Sequence, residues 1–121
     1  MDITGSKDCG NSPKNQLVQD VSVALAAGDA ETLSKLLVEN AVWEIAGERT
    51  FEGRDAIIAA SAQTRVRALT VDHAISHGRT GAANGRLDLE NGRKIAFCDV
   101  QDFANAKGTS VLRVSTLRVP L

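Results

Sequence analysis

The sequence predicts a single α+β domain in which a curved antiparallel sheet packs against three helices from the first half of the chain. In that first half, apolar residues recur at helical spacing. From residue 69 onward they alternate in long runs separated by short turns, which is typical of strands. We expect residues 1–13 to be a flexible leader, because they contain few apolar residues, and residues 14–121 to form the domain.

Composition limits the class of protein. The chain has 121 residues and a formal net charge of -1, without the basic excess of a nucleic-acid binder. No apolar run approaches the roughly 20 residues that cross a bilayer, and the first residues lack a secretory signal. We therefore expect no nucleic-acid or membrane partner and a cytoplasmic location. Cys9 and Cys98 have no partner at metal-site or redox-motif spacing, so both are predicted to be free thiols, and no cofactor is predicted.

Three helices are predicted ahead of the main sheet. The first spans residues 14–27 and stops at Gly28, and the second starts at the N-cap Asp29 and ends at residue 40. The third follows the turn at residues 51–54 and extends to about residue 67. Their apolar faces consist of Leu17, Val18, Val21, Ala24 and Leu25, of Leu33, Leu36 and Leu37, and of Ala56, Ile57, Ala60 and Val66.

Five strands are predicted. A short strand at residues 41–45 lies between the second and third helices and places Trp43 and Ile45 on one face. The other four are joined by short turns and form an antiparallel meander. They span residues 69–79, 82–89, 95–103 and 110–119.

The strand at residues 95–103 carries the main candidate site. Alternation sends Phe97, Asp99, Gln101 and Phe103 to the same face. An acid between aromatic side chains on an apolar face is either a hydrogen-bonded core group or the working group of a pocket, because an unpaired buried acid is costly. The residues alone leave both interpretations open.

His73 and His77 are the second set of candidates. Alternation along the strand at residues 69–79 places them with the aliphatic side chains, so both are predicted to point inward. They are interpreted either as core histidines or as pocket lining. Four residues of strand separate them by roughly 13 Å, which is too far to share one metal ion, so no metal site is predicted.

The order of the elements resembles the nuclear transport factor 2-like superfamily, and more narrowly its SnoaL-like and ketosteroid isomerase-like members. The resemblance covers about residues 15–119, and it implies a cone-shaped, cystatin-like fold. In that family the cone cavity hosts isomerases, dehydratases, epoxide hydrolases and cyclases, so the fold does not determine the function. The motifs that carry the resemblance are Ala27-Gly28-Asp29, residues 36–44, Phe51-Glu52-Gly53-Arg54, and Asp99 followed by Phe103.

The resemblance also implies roles for single residues. Asp99 matches the acid of the ketosteroid isomerases that stays protonated in an apolar site and donates a hydrogen bond to the developing oxyanion. Ile45 stands where those enzymes have their general base. Val21 stands where they have a tyrosine, and the chain contains no Tyr. Steroid double-bond migration is therefore not expected, because that mechanism needs a base.

Two functional hypotheses follow. In the first, the cone binds a small, mostly apolar organic molecule through Trp43, Ile45, Phe97, Gln101 and Phe103. The protein then acts either as a binder or as a lone acid/base enzyme of the isomerase, dehydratase or hydrolase type, with Asp99 as acid and His73 or His77 as base. In the second, the protein is a non-catalytic dimerisation or interaction module with a filled cavity.

Cavity size separates the two hypotheses. A cavity of at least a few hundred Å³ that reaches Asp99 favours binding, whereas a cavity plugged by Trp43, Phe97 and Phe103 favours the module. A homodimer is predicted through the outer face of the meander, because that face is unusually apolar for a free surface. Its apolar residues are Ala96, Cys98, Val100 and Ala104.

Overall fold

The computed structural model describes all 121 residues and confirms the predicted α+β class, with three helices packed on one face of a curved sheet. None of the three helices is long and apolar enough to cross a membrane. In chain order the elements are β1 (Asp2–Thr4), α1 (Pro13–Ala27), α2 (Ala30–Leu36), β2 (Leu37–Ile45), β3 (Arg49–Glu52), α3 (Arg54–Ser61), β4 (Val66–His77), β5 (Thr80–Leu89), β6 (Lys94–Phe103) and β7 (Val111–Pro120).

All seven strands belong to one sheet, in the order β1-β4-β5-β6-β7-β2-β3. The strands β4 to β7 form the predicted antiparallel meander, whereas β1 pairs with β4 and β2 pairs with β7 in parallel. The inner face of the sheet contacts α1, and 23 buried apolar residues form one continuous core there. The sheet therefore has a covered inner face and an outer face without any element on it.

Local sequence determines where the helices begin and end. Ser12 caps α1, since its hydroxyl accepts a hydrogen bond of 3.2 Å from the backbone N–H of Asn15. Gly28 ends α1 in the left-handed conformation, with φ of 67°. Asp29 then caps α2 by accepting from the backbone N–H of Thr32, and its hydrogen bonds with Thr32 hold the pKa of Asp29 below its ordinary value. The predicted first helix is confirmed.

The second and third helices are shorter than predicted. Residues 37–40 start β2 instead of ending α2, because Leu37 buries its side chain in the core while its backbone pairs with β7. The third helix ends at Ser61, and Val66 begins β4. Phe51 and Glu52, predicted to belong to the turn at residues 51–54, lie instead in β3, whose backbone pairs with β2. In residues 37–40 and from Val66 onward, pairing with neighbouring strands therefore decides the structure, although the apolar residues there have helical spacing.

Residues 1–13 were expected to be a flexible leader, but the structure gives them a fixed place. β1 extends the sheet beside β4, and Cys9 is buried in the core. The Asp8 carboxylate accepts a hydrogen bond of 3.0 Å from the backbone N–H of Ala74. Backbone pairing needs no apolar side chains, which is why composition alone missed this segment. Cys9 and Cys98 are free thiols, as predicted.

Candidate functional site

Asp99 lies on β6 at the centre of the inner face. Phe97, Gln101 and Phe103 are buried on the same face, so the predicted alternation of this strand is confirmed. The side chain of Asp99 has little contact with solvent, since the residue is 5% exposed. A carboxyl group in this position must find its partners inside the protein.

A chain of two hydrogen bonds joins Asp99 to Trp43 through Thr116. The indole N–H of Trp43 donates to Thr116 Oγ1 at 2.8 Å, and the Thr116 hydroxyl donates to Asp99 Oδ1 at 2.6 Å. Strand register produces this geometry, because Thr116 on β7 stands directly opposite Asp99 and pairs with Ile45 of β2 on its other side. The carboxyl group is therefore held in one orientation.

Burial controls the protonation of this carboxyl group. Desolvation raises the pKa of Asp99 above its ordinary value of 3.8. Hydrogen bonds from Thr116 and Ser22 and the positive charge of Arg118 act in the opposite direction without cancelling the effect of burial. The site thus favours the neutral carboxylic acid more than water does.

The enclosed cavity beside Asp99 is very small, with a volume of about 10 Å³. This is about the space that one water molecule needs. Trp43 and Phe97 fill much of the interior, as the interaction-module hypothesis requires, but Phe103 does not line the cavity. Its lining residues are Ser22, Leu25, Ala26, Trp43, Leu87, Phe97, Asp99, Thr116 and Arg118.

The prediction that His73 and His77 point inward is wrong, because both are exposed and lie away from Asp99. A β-bulge between Val71 and His73 inserts Asp72 into β4 and reverses the alternation, so Ala74 is buried and the histidines face outward. His73 Nδ1 lies 3.4 Å from the Asp8 carboxylate. Neither imidazole can serve as a base for a molecule at Asp99.

Two predicted ligand contacts have structural partners instead. The Gln101 amide donates hydrogen bonds to the Val18 carbonyl at 2.9 Å and to the Ser22 hydroxyl at 3.1 Å, which fastens α1 to the sheet. Phe103 lies elsewhere on the inner face, where Lys14 Nζ is 5.9 Å from its ring centroid. Neither residue lines the cavity beside Asp99.

A larger open cleft lies between α3 and the β2–β3 hairpin, with a volume of about 530 Å³. We call it the α3 cleft. The predicted contacts Trp43 and Ile45 form part of its wall, and Trp43 and Arg118 line both the cleft and the buried cavity. These two side chains therefore separate Asp99 from the cleft. The full lining is Trp43, Ile45, Glu48, Arg49, Phe51, Ala56, Ala59, Ala60, Gln63, Thr64 and Arg118.

Two pairs of arginine and aromatic side chains at cation–π distance lie side by side in the α3 cleft. Arg118 Cζ is 5.7 Å from the Trp43 ring centroid, and Arg49 Cζ is 5.1 Å from that of Phe51. The two rings are cross-strand neighbours, 5.7 Å apart. Sequence reasoning missed Phe51 and both arginines. Alternation around Phe51 was the available signal, since Arg49 and Phe51 share a face of β3.

The outer face of the sheet carries a second depression, of about 650 Å³, which we call the outer groove. Ile75, Leu117 and Val119 are 58%, 57% and 58% exposed there. His73 lies in the groove, together with the half-buried Cys98, whose pKa is raised by burial and by the neighbouring Asp99. The remaining lining residues are Ala82, Ala83, Asn84, Ala96 and Phe97.

Comparison with known proteins shows the family of this chain and a nuclear transport factor 2-like fold. The family model described as the SnoaL-like domain matches residues 18–115, and the chain belongs to that family. No curated protein matches the sequence.

Several solved structures share the fold. A candidate ketosteroid isomerase from Kribbella flavida superposes with a TM-score of 0.74 at 18% identity, over 88% of this chain and 77% of that one. A nuclear transport factor 2-like protein of unknown function from Burkholderia xenovorans superposes with a TM-score of 0.73 at 16% identity, over 87% of this chain and 81% of that one. SalBIII, an epoxide hydrolase/cyclase-like enzyme of salinomycin pyran ring formation, superposes with a TM-score of 0.69 at 16% identity, over 90% of this chain and 92% of that one. At these identities the likeness concerns the fold alone.

Proposed function

We propose that this protein binds a small, mostly apolar organic molecule in the α3 cleft, whose lining includes the half-buried Phe51, the exposed Ala56 and Ala59, and the buried Trp43 and Ile45. The observation that carries the proposal is the cleft itself. Its volume of about 530 Å³, like that of the outer groove, lies within the usual range for small-molecule sites, roughly 300–1,000 Å³, but the α3 cleft combines apolar side chains with charged groups that can orient a ligand, and the outer groove has no Lys, Arg, Asp or Glu. The enclosed cavity at Asp99 is too small for such a ligand.

Related folds support a small-molecule role. The candidate ketosteroid isomerase and the epoxide hydrolase/cyclase-like enzyme among the neighbours both act, by their names, on small organic molecules. An acid role for Asp99 stays a prediction, because a ligand atom must pass Trp43 and Arg118 to reach its carboxyl group. No histidine is available as its partner, so the proposal is binding without an assigned reaction.

The chain's single tryptophan makes the test direct. A panel of cyclic alcohols, ketones and carboxylates is titrated into the protein while the indole N–H resonance of Trp43 is followed by NMR. We expect a saturable shift with at least one class of compound. Replacing Ala59 by Leu adds bulk to the cleft wall and should abolish the shift, whereas Ala106→Leu, in an exposed loop outside the cleft, should preserve it.

Two results would contradict the proposal. One is a panel in which no compound moves the Trp43 resonance. The other is binding that persists unchanged in Ala59→Leu, since that would locate the site elsewhere.

A second candidate function, homodimerisation, rests on the outer groove. Its lining is apolar apart from His73 and Asn84 and contains no Lys, Arg, Asp or Glu. Two copies related by a two-fold axis can therefore bring their grooves together without juxtaposing like charges. We propose a second copy of this chain as the partner, and dimerisation and binding in the α3 cleft are compatible because they use different surfaces.

A further inference from the structure

The α3 cleft contains two arginines that no carboxylate neutralises. Neither Arg49 nor Arg118 belongs to any of the chain's ion pairs, which join Lys35 to Glu31, His73 to Asp8 and Arg113 to Glu44. Each guanidinium instead lies over an aromatic ring. A cation–π contact does not use the N–H groups of a guanidinium as hydrogen-bond donors to an acceptor, so they can still donate to a ligand.

Arg118 shows the clearest need for a partner. Its Nε atom is buried and has no hydrogen-bond acceptor. A buried donor without an acceptor is destabilising, and more so when it carries charge. Arg118 is half-buried and lines both the cavity and the cleft, so an acceptor in the cleft would meet its guanidinium at nitrogens other than the buried Nε.

The nearby acids do not supply that acceptor. The positive charge of Arg118 acts on Asp99, but the two side chains form no ion pair, and burial favours the neutral form of this acid. Glu48 lines the cleft as an exposed side chain and forms no ion pair either. Two guanidinium groups and one glutamate leave the cleft with an excess of positive charge.

The rest of the cleft wall restricts the kind of anion. Ile45, Phe51, Ala56, Ala59 and Ala60 are apolar, and they favour a ligand with a hydrocarbon body. A planar carboxylate matches the fork of a guanidinium and can accept two parallel hydrogen bonds from it. A guanidinium binds phosphate as well as carboxylate, but a small, multiply charged phosphate would gain little from the apolar wall.

We propose that Arg118 and Arg49 form a carboxylate-binding subsite, so that the ligand of the α3 cleft is a small apolar carboxylate. This inference rests on the proposed function, because it specifies the chemistry of the same site. In the bound state the hydrocarbon body lies against Ile45 and the alanines of α3, and the carboxylate accepts hydrogen bonds from the guanidinium groups.

The test compares two compounds of nearly equal shape, cyclohexanecarboxylate and cyclohexanecarboxamide. Both are titrated into the protein at neutral pH, with the Trp43 indole resonance as the reporter. We expect the carboxylate to bind about tenfold more tightly, since one charge-assisted hydrogen bond in a partly exposed site is worth about that factor. A higher salt concentration should weaken the binding of the carboxylate and leave the affinity for the amide unchanged.

Three variants locate the effect. Arg118→Gln and the exposed Arg49→Gln should each remove most of the preference for the carboxylate, while Arg67→Gln, an exposed position outside the cleft, should keep it. Arg49→Gln keeps the test decisive if the half-buried Arg118 variant folds poorly.

The possible failures are distinguishable. Equal binding of carboxylate and amide, or a preference that survives both cleft variants, would overturn the carboxylate subsite while the proposed function stands. If neither compound binds and the wider panel also leaves Trp43 unmoved, small-molecule binding itself is refuted, and the subsite with it.

Discussion

The guanidinium of Arg118 lies over the indole ring of Trp43, with 5.7 Å between Cζ and the ring centroid. These two side chains form the boundary between the buried acid Asp99 and the open α3 cleft. On one side of the indole, its N–H belongs to the hydrogen-bond chain through Thr116. A ligand bound in the cleft is therefore expected to change the environment of the Trp43 indole N–H, even though the ligand does not touch Asp99.

The hydroxyl group of Thr116 is expected to stabilise the fold, because it bridges Trp43 and Asp99. Thr116→Val removes the hydroxyl group and leaves both the Trp43 N–H and the Asp99 carboxyl group without their shared partner. We expect the free energy of unfolding to fall by about 2 kcal/mol in urea denaturation. Thr116→Ser should recover most of the loss. As a control, Ser115→Ala, on the opposite face of β7, should change the free energy of unfolding by less than about 0.5 kcal/mol. If Thr116→Val is as stable as wild type, the hydrogen-bond chain does not stabilise the interior.

Asp99 should give the protein a characteristic pH dependence. Its pKa is raised in the folded state, so the folded protein binds the proton more tightly than the unfolded chain does. The resulting contribution to stability is complete below the unfolded-state pKa, about 4, and is lost as pH rises through the folded-state pKa. Relative to Asp99→Asn, wild type should therefore become less stable as pH rises.

Asp29 supplies the control of opposite sign. Its pKa is lowered by hydrogen bonds with Thr32, so its contribution is present above the unfolded-state pKa and is lost as pH falls. Relative to Asp29→Asn, wild type should gain stability with rising pH. For Asp99 itself, the contradicting result is a free energy of unfolding that depends on pH in the same way in wild type and in Asp99→Asn. Burial would then not perturb the pKa of the Asp99 carboxyl group.

The outer groove should mediate dimerisation. We expect wild type to sediment as a dimer at micromolar concentration. Leu117→Lys places a charge in the groove and should give a monomer, whereas Leu112→Lys, on the same strand but outside the groove, should remain dimeric. A wild-type monomer would exclude the interface, and a Leu117→Lys dimer would place it on another surface.

The histidines should have no part in ligand binding. Because the bulge in β4 turns them to the outer face, a variant with both His73→Gln and His77→Gln should bind compounds in the α3 cleft with unchanged affinity. The indole resonance of Trp43 reports that affinity. A large loss of binding in this variant, with the fold intact, would be incompatible with the outward placement.

The sequence predicted the class of fold and the burial of Asp99 because strand alternation in residues 95–103 is uninterrupted. It placed the histidines on the wrong face because one inserted residue, Asp72, reverses the alternation and leaves no mark in a pattern of apolar residues. Gly85 was the available signal. A side chain at that position would collide with the backbone of Thr70, next to the bulge, and glycine inside a strand often marks such a close approach.

The α3 cleft could not be predicted because it depends on long-range pairing. Arg118 comes from the last strand, and its inward direction depends on the parallel pairing of β7 with β2, which local periodicity does not reveal. Phe51 was assigned to the turn at residues 51–54 and no element was predicted for Arg49, but both lie in β3. Trp43 and Ile45 were expected to line the cone cavity, because both share the inner face of β2; Trp43 lines the cavity beside Asp99, and both line the cleft.

A crystal structure of the protein soaked with cyclohexanecarboxylate shows whether the α3 cleft is the ligand site. We expect the compound to lie against Ile45 in the α3 cleft, with its carboxylate hydrogen-bonded to Arg118 or Arg49. Density for the compound only in the outer groove, between Ile75 and Leu117, with the α3 cleft empty, would contradict it.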